Sequence, residues 1–354
     1  MSITAAAERK TSCRWLFVMA KNSCWAAKLA LGFFGICLLA AGLARPVLAA
    51  APQPVRLMLQ WSHQAQFAGY YVALEKGFYN ERGLDVSIIP GGPGLDPADF
   101  LIRGEVDFAS LWLSTALTRS EQSVRLAQVA QIVNASNLVL ITRNEDQINR
   151  PAELSGRKIS IWGGDFRAPY LAWLQSVGAT PQIFPQYYSV NLFLLKGVQA
   201  CSAMYYNEVH MVYQTGIDME ELKLFFLQED GFGFPEDGIY TTQERFRKNP
   251  ELARKFREAS LQGWRYAADH QSEALDIVMQ YVTRDKVLTN RPHMKWMLEK
   301  ILRSVIPDAQ DRWTFGSLSR QDYARTVQVM TEQGMIRSAP NYEEFMAGGP
   351  GYVP

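Results

Sequence analysis

Trp61, Trp112 and Trp162 each fall at the end of a β-rich run, where loops leaving the carboxyl ends of strands would line a ligand cleft. A flat heteroaromatic ligand gains stacking and desolvation against such walls, and a few polar groups orient it. For each tryptophan, core packing is the competing reading. The segment Tyr205-Tyr206-Asn207-Glu208 opens a predicted helix and sets an aromatic ring and a carboxylate three positions apart, on one face. Glu208 there either accepts hydrogen bonds from a ligand's amino group or serves as an acid at the positive helix end. Asp230 and Asp237 lie in a glycine-punctuated stretch, open to turn chemistry and to ligand contact alike. Gly91-Gly92-Pro93-Gly94 follows a strand and precedes Asp96-Pro97, a helix cap and first turn. Its amides would face an anion or simply close a tight turn.

Catalytic signatures are absent from the sequence. It has no Gly-x-Ser-x-Gly elbow, no phosphate loop ending in Gly-Lys-Ser/Thr and no His-Glu-x-x-His helix. The histidines, His63, His210, His270 and His293, are scattered, and none has a His or Cys three or four residues away, the spacing a local metal site favours. Cys201, beside a predicted strand, reads as a small core residue. No cofactor and no metal is expected. A formal net charge of +1 over 354 residues gives no basic field for phosphates, which sets nucleic acid aside as a partner.

These residues need a scaffold, and the chain supplies an alternation of β-rich and helical runs typical of α/β architecture with largely parallel sheets. Strands are expected at 55–60, 84–89, 106–111, 124–133 and 138–142, with helices at 69–82, 97–103 and 113–120. A second series places strands at 158–162, 182–185, 200–204 and 222–227 and helices at 168–177, 191–196 and 205–215. Beyond residue 250 the pattern turns helical, at 250–270, 272–281, 292–305 and 320–333. Turn-rich passages at 143–150 and 229–238 would carry the chain twice between two lobes, with the ligand between them.

The first fifty residues stand apart. Arg9, Lys10, Arg14, Lys21 and Lys28 precede an uncharged apolar run over 29–43, about 15 residues and short of the roughly 20 that span a bilayer. With Val47-Leu48-Ala49 behind it, this reads as a signal peptide cleaved after Ala49, an uncleaved anchor being the competing reading. Translation from Met19 would leave a shorter charged head. The remaining chain carries 30 basic and 34 acidic residues and Cys201 alone, so it has no internal disulfide. A chain of about 300 residues builds its core without one.

The string Leu59-Gln60-Trp61-Ser62-His63-Gln64-Ala65-Gln66-Phe67-Ala68-Gly69-Tyr70-Tyr71, with Glu75-Lys76-Gly77-Phe78-Tyr79 and Gly83-Leu84-Asp85-Val86, resembles the start of exported binding proteins for thiamine-pyrimidine precursors. Further matches are Gly104-Glu105-Val106-Asp107-Phe108, Leu154-Ser155-Gly156-Arg157-Lys158, Tyr206-Asn207-Glu208 and Gly263-Trp264. The resemblance implies an α/β, bilobal type II periplasmic-binding-protein fold with a helical C-terminal region. Binders of sulfonates and riboflavin-like compounds belong to the same superfamily. Its fungal relatives are enzymes that build the pyrimidine from their own histidine and pyridoxal phosphate. Where those carry a lysine and a histidine, this chain has Leu111 and Thr115, and where they carry cysteines it has Gly231-Phe232-Gly233-Phe234-Pro235. Precursor binders tend to show Asn then His after the tryptophan; here Gln64, Gln66 and Phe67 stand in that segment, so the ligand differs or is held differently.

The expected organisation is a signal peptide over 1–49, a first lobe over 50–142, a second over 143–236, and a return to the first lobe with a helical cap over 237–354. The expected site is Trp61, His63, Gln66, Trp112, Trp162, Tyr205, Asn207, Glu208 and Asp237. The expected function is that of a periplasmic protein, not an enzyme, handing a small heteroaromatic solute to a membrane ABC permease by lobe closure. An exported sensor signalling to a membrane receptor, or a binder of sulfonate or riboflavin-like solutes, is the alternative.

Overall fold

The computed structural model describes residues 51–121, 124–306, 308 and 314–346, all but Ala51 within the compact unit Pro52–Pro354. The leader expected at 1–49 lies outside the described residues. One five-stranded sheet is built from β1 (Gln53–Met58), β2 (Leu84–Ile89), β3 (Phe108–Trp112), β4 (Leu126–Gln131) and, returning late in the chain, β10 (Asp237–Thr242), in the order β2-β1-β3-β10-β4. A second is built from β5 (Leu138–Arg143), β6 (Lys158–Trp162), β7 (Gln182–Gln186), β8 (Ala200–Met204) and β9 (Leu222–Phe226), in the order β7-β6-β8-β5-β9. β3, β5 and β8 are buried at every residue, as strands covered on both faces must be. β4 is also wholly buried although it ends its sheet, because Gly316 and Met346 bridge onto Gln131 and Gln128 and cover the free edge.

Both sheets are mixed rather than largely parallel. β10 runs antiparallel to β3 and β4, and β5 antiparallel to β8 and β9. The cause is the double crossing. β4 and β9 run toward the hinge and leave their lobes there, so the strands that follow them, β5 and β10, must run away from it. This also moves the first crossing. Leu138–Arg143, expected to close the first unit, belongs to the second sheet, so the chain crosses at 132–137 rather than at 143–150; that polar stretch is a surface turn within the second lobe. The second crossing occupies 227–236. The two are laced together: Ile132 and Val133 donate their amides to the Asp237 carbonyl at 3.0 and 2.9 Å, and Glu236 donates to Val133 at 2.8 Å.

The helices are α1 (Ala68–Glu75), α2 (Pro97–Ile102), α3 (Leu113–Ser120), α4 (Arg167–Ser176), α5 (Asn191–Leu194), α6 (Glu208–Tyr213), α7 (Gln243–Lys248), α8 (Pro250–Asp269), α9 (Gln271–Arg284), α10 (Arg291–Val305), α11 (Arg320–Glu332) and α12 (Tyr342–Phe345). Three of the long C-terminal ones start at side-chain caps: Asn249, Asn290 and Ser319 accept the amides of Leu252, His293 and Asp322. α8 crosses α1 with almost no separation, since a Cβ on Gly263 would lie 2.1 Å from the Gly69 carbonyl oxygen. This contact, with Phe256 stacked on Phe108 at 4.2 Å, ties α8 to the first sheet. α10 and α11 instead touch both lobes. Ser304 on α10 accepts the Asn134 amide of the first crossing at 2.9 Å, and Gln333, just after α11, donates to Gln175 on α4 at 2.9 Å. Among the described residues no helix is long and apolar enough to cross a membrane.

Candidate binding cleft

The carboxyl ends of β1, β3 and β6 deliver Trp61, Trp112 and Trp162 to the space between the lobes. The first and last of these ends are pinned by a serine on the neighbouring strand: the amide of Gln60 donates to Ser110 Oγ at 2.9 Å, and the amide of Trp162 to Ser202 Oγ at 3.1 Å. Two ring contacts cross from lobe to lobe. Trp61 meets Tyr188, in the loop after β7, at 5.0 Å, and Trp112 meets Phe166 edge-on at 4.4 Å, with Trp162 6.1 Å from the same Phe166 ring. Aromatic walls from both sheets therefore face one opening.

At its hinge end stand two consecutive buried carboxyls. Asp237, 3% exposed, opens β10; its two oxygens accept the Nε2 groups of Gln60 and Gln66, the latter at 2.6 Å. Gln66 in turn accepts Gln64 Nε2 at 2.5 Å. Glu236, 1% exposed, accepts the Asn137 backbone amide at 2.5 Å and is within 3.4 Å of Asn137 Nδ2 and Ser136 Oγ. Every one of these partners is an amide or a hydroxyl. Burial holds both carboxyls well above the usual range, and the charge of Asp237 adds to the rise at Glu236. Tyr206, buried beside them, has its phenol pushed up by burial and by the charges of Glu236, Asp237 and Glu208.

Of the residues expected at the site, Trp61, Trp112, Trp162, Gln66 and Asp237 meet here, and four do not. His63 is fully buried behind α1 and α9, with Nδ1 2.8 Å from Tyr71 Oη and Nε2 3.0 Å from Asp285; desolvation lowers its pKa. Tyr205 packs outward, against Phe226 at 5.2 Å and Trp296 at 5.7 Å. Asn207 donates to Glu208 Oε1 and accepts from His293 Nε2, both near 2.9 Å. Glu208 spends its other oxygen on the Met204 amide at 2.8 Å, and burial raises its pKa. The physical reason is that α6 begins at Glu208, not at Tyr205, so the two never share a helical face. Residues absent from the expectation are Gln60, Phe166, Tyr188, Tyr206 and Glu236. Gln60 stands beside the first tryptophan and Tyr206 in the quoted segment, whereas Phe166 and Tyr188 had no local signal. Cys201 is a buried free thiol, raised by burial. Among the described residues no group of three or more His, Cys, Asp or Glu is placed to hold a metal ion.

Two α/β lobes with mixed five-stranded sheets, two crossings and a cleft at the strand ends constitute the periplasmic-binding-protein fold. Residues 64–274 match the model described as NMT1/THI5 like, and the chain belongs to that family. It is 24% identical over 328 residues to the riboflavin-binding protein RibY of Chloroflexus aurantiacus, covering 86% of this chain and 91% of that one. It is 23% identical over 240 residues to a formylaminopyrimidine-binding protein of Halalkalibacterium halodurans, covering 65% and 71%. Among solved structures, the periplasmic aliphatic sulphonate binding protein SsuA of Escherichia coli superposes with a TM-score of 0.63 at 12% identity, over 84% of this chain and 98% of that one.

Proposed function

We propose that this protein is an exported solute-binding protein that captures a small nitrogen heterocycle of the pyrimidine or flavin type and presents it to an ABC importer by closing its lobes. The observation that carries this reading is the cleft: aromatic rings from both lobes around a hinge end of buried carboxyls and amides. Rings accept a flat ligand by stacking and the polar end orients it. A sulfonate is disfavoured, because the anion would approach two buried carboxyls whose own partners are amides and hydroxyls. The names of the two relatives, one a riboflavin binder and one a formylaminopyrimidine binder, support a heterocycle. No bond is made or broken: by the resemblance, Leu111 and Thr115 stand where the fungal enzymes carry a lysine and a histidine. Contacts made to both lobes at once favour the closed state by their differential affinity, and the importer reads that state.

A thermal-shift screen of the purified protein against aminopyrimidines, flavins and alkanesulfonates tests the reading, since a ligand that binds only the folded state raises the melting temperature. The expected result is a rise with a heterocycle and none with sulfonates. A rise with sulfonates alone would overturn the ligand class and leave the solute-binding role standing.

A further inference from the structure

The bend that carries Trp61, Gln64 and Gln66 has little main-chain structure of its own. Between β1 and the short turn Ala65–Phe67, Gly91 donates to the Trp61 carbonyl at 3.0 Å and Phe67 to that of Gln64 at 3.1 Å, and the turn starts without a side-chain cap. His63 stands in the middle of this bend, fully buried behind it against the Tyr71 and Tyr281 rings at 5.5 and 5.4 Å. The Asp285 carboxylate, just past α9, can only accept, so the imidazole Nε2 carries the proton at 3.0 Å from one of its oxygens, while Arg284 donates to the other at 2.8 Å. Nδ1 is then bare and accepts the Tyr71 phenol of α1 at 2.8 Å. The Tyr71 oxygen in turn faces the main-chain amide of Gln64. Gln64 donates to Gln66 at 2.5 Å and Gln66 to Asp237 at 2.6 Å, so a line of polar contacts runs from the end of α9 to the hinge end of the cleft.

We propose that His63 is a positioning residue for ligand binding: held between Asp285 and Tyr71, it bolts the bend to α1 and α9 so that Trp61 and the glutamines meet the solute already in place. This rests on the solute-binding reading above and deepens it, because affinity then depends on contacts made behind the cleft. Such preorganisation removes the ordering cost that a loose bend would add to binding. Burial lowers the imidazole pKa below its ordinary value, against the pull of Asp285, which keeps the ring in the neutral form that can donate at Nε2 and accept at Nδ1. Cutting either contact leaves a buried polar atom unpaired two residues from Trp61.

The test compares the purified parent with Asp285→Ala, Asp285→Asn and Tyr71→Phe in two measurements. One is the amide exchange protection factors of residues 60–67 without ligand, and the other is calorimetric titration with riboflavin and with formylaminopyrimidine, the solutes named for the two relatives. In D285A and Y71F the protection of 60–67 should fall roughly 10-fold, the scale of one buried hydrogen bond left unmade, while α8 and the second sheet keep theirs. Affinity for whichever compound binds the parent should fall by a similar factor. D285N, whose side-chain carbonyl still accepts Nε2–H, should recover most of both losses. Equal affinity in D285A and the parent overturns the proposal, and so does a loss of protection spread evenly over the first lobe, which marks a contribution to the fold alone. Should Y71F fail to fold, D285A, at a partly exposed position, carries the test. If neither compound binds the parent, the choice of ligand class fails by itself and exchange decides the bolt: a loss confined to 60–67 supports it, and unchanged protection overturns it.

Discussion

Glu236 and Asp237 are consecutive and buried, and among the described residues their partners are amide and hydroxyl donors only. A carboxyl whose pKa is raised by folding supports the fold fully below its ordinary value and loses that support as pH climbs through the raised one. For Glu236 the window runs from 4.5 up to about 8. The melting temperature should therefore fall as pH rises from 4.5 to about 8, and Glu236→Gln, which cannot ionise, should flatten that fall in melts recorded across the window. An unchanged slope would assign the loss in that window to other groups. At this scale the sequence told most where a residue's place follows from a strand end. Trp61, Trp112 and Trp162 stand at the cleft for that reason. It told least at turns: Tyr205 and Tyr206 are neighbours in a turn that faces the hinge on one side and α10 on the other, and no periodicity ahead of a helix starting at Glu208 distinguishes them. His63 and Glu208 look functional because they can titrate, yet each is held by groups of its own lobe.

Three of the C-terminal helices were legible because they begin at Asn or Ser caps, two of them with proline in the first turn, signals contained within a few residues. β10 was not, since Asp-Gly-Ile-Tyr-Thr-Thr follows a turn-rich passage and pairs with strands more than a hundred positions away. α10 was visible as a helix but not as a bridge between lobes. Its His293 donates Nε2–H to Asn207 Oδ1, a direction fixed because Asn207 Nδ2 is given to Glu208. Nδ1 of His293 is therefore bare and accepts Nδ1–H from His210 on α6 at 2.9 Å. Around the pair stand Trp296, stacked on His210 at 5.0 Å, with Lys300 over its ring, the Tyr213 ring, and the Gln214 to Asn290 hydrogen bond. Among the described residues no carboxylate touches either ring. A proton on His293 Nδ1 would set two donors face to face, and burial with the neighbouring His210 lowers its pKa from 6.5 to about 4. With a lowered pKa, the contact is intact above 6.5 and is lost as pH falls toward about 4. Protection factors in Arg291–Val305, with the intrinsic pH dependence of exchange divided out, should drop across that window in the parent and stay level in His293→Gln. Identical pH profiles in the two would remove the imidazole pair from the coupling of α10 to α6.

Two lobes were readable from the doubled α/β pattern, but their boundary was not. The chain leaves the first sheet through six residues, 132–137, that carry no glycine and no proline, while the conspicuous polar stretch at 143–150 merely turns within one lobe. What a crossing does depends on which sheet the next strand joins, and that is decided by pairing far along the chain. The same geometry bears on closure. Trp61 against Tyr188 and Trp112 against Phe166 join the lobes by rings alone, at about 0.5–1.5 kcal/mol for each pair. Together they bias the lobes toward closure by about 1–3 kcal/mol, roughly a 5- to 150-fold change in the equilibrium. Any ligand whose binding requires the closed state then loses apparent affinity in proportion to the closed population removed. The double variant Phe166→Ala, Tyr188→Ala should accordingly have a larger radius of gyration than the parent by solution X-ray scattering, should contract when saturated with ligand, and should bind it more weakly. If the free double variant scatters like the parent while binding is weakened, the rings act as walls for the ligand alone, and closure is held instead by the hinge, by α10 and by α11.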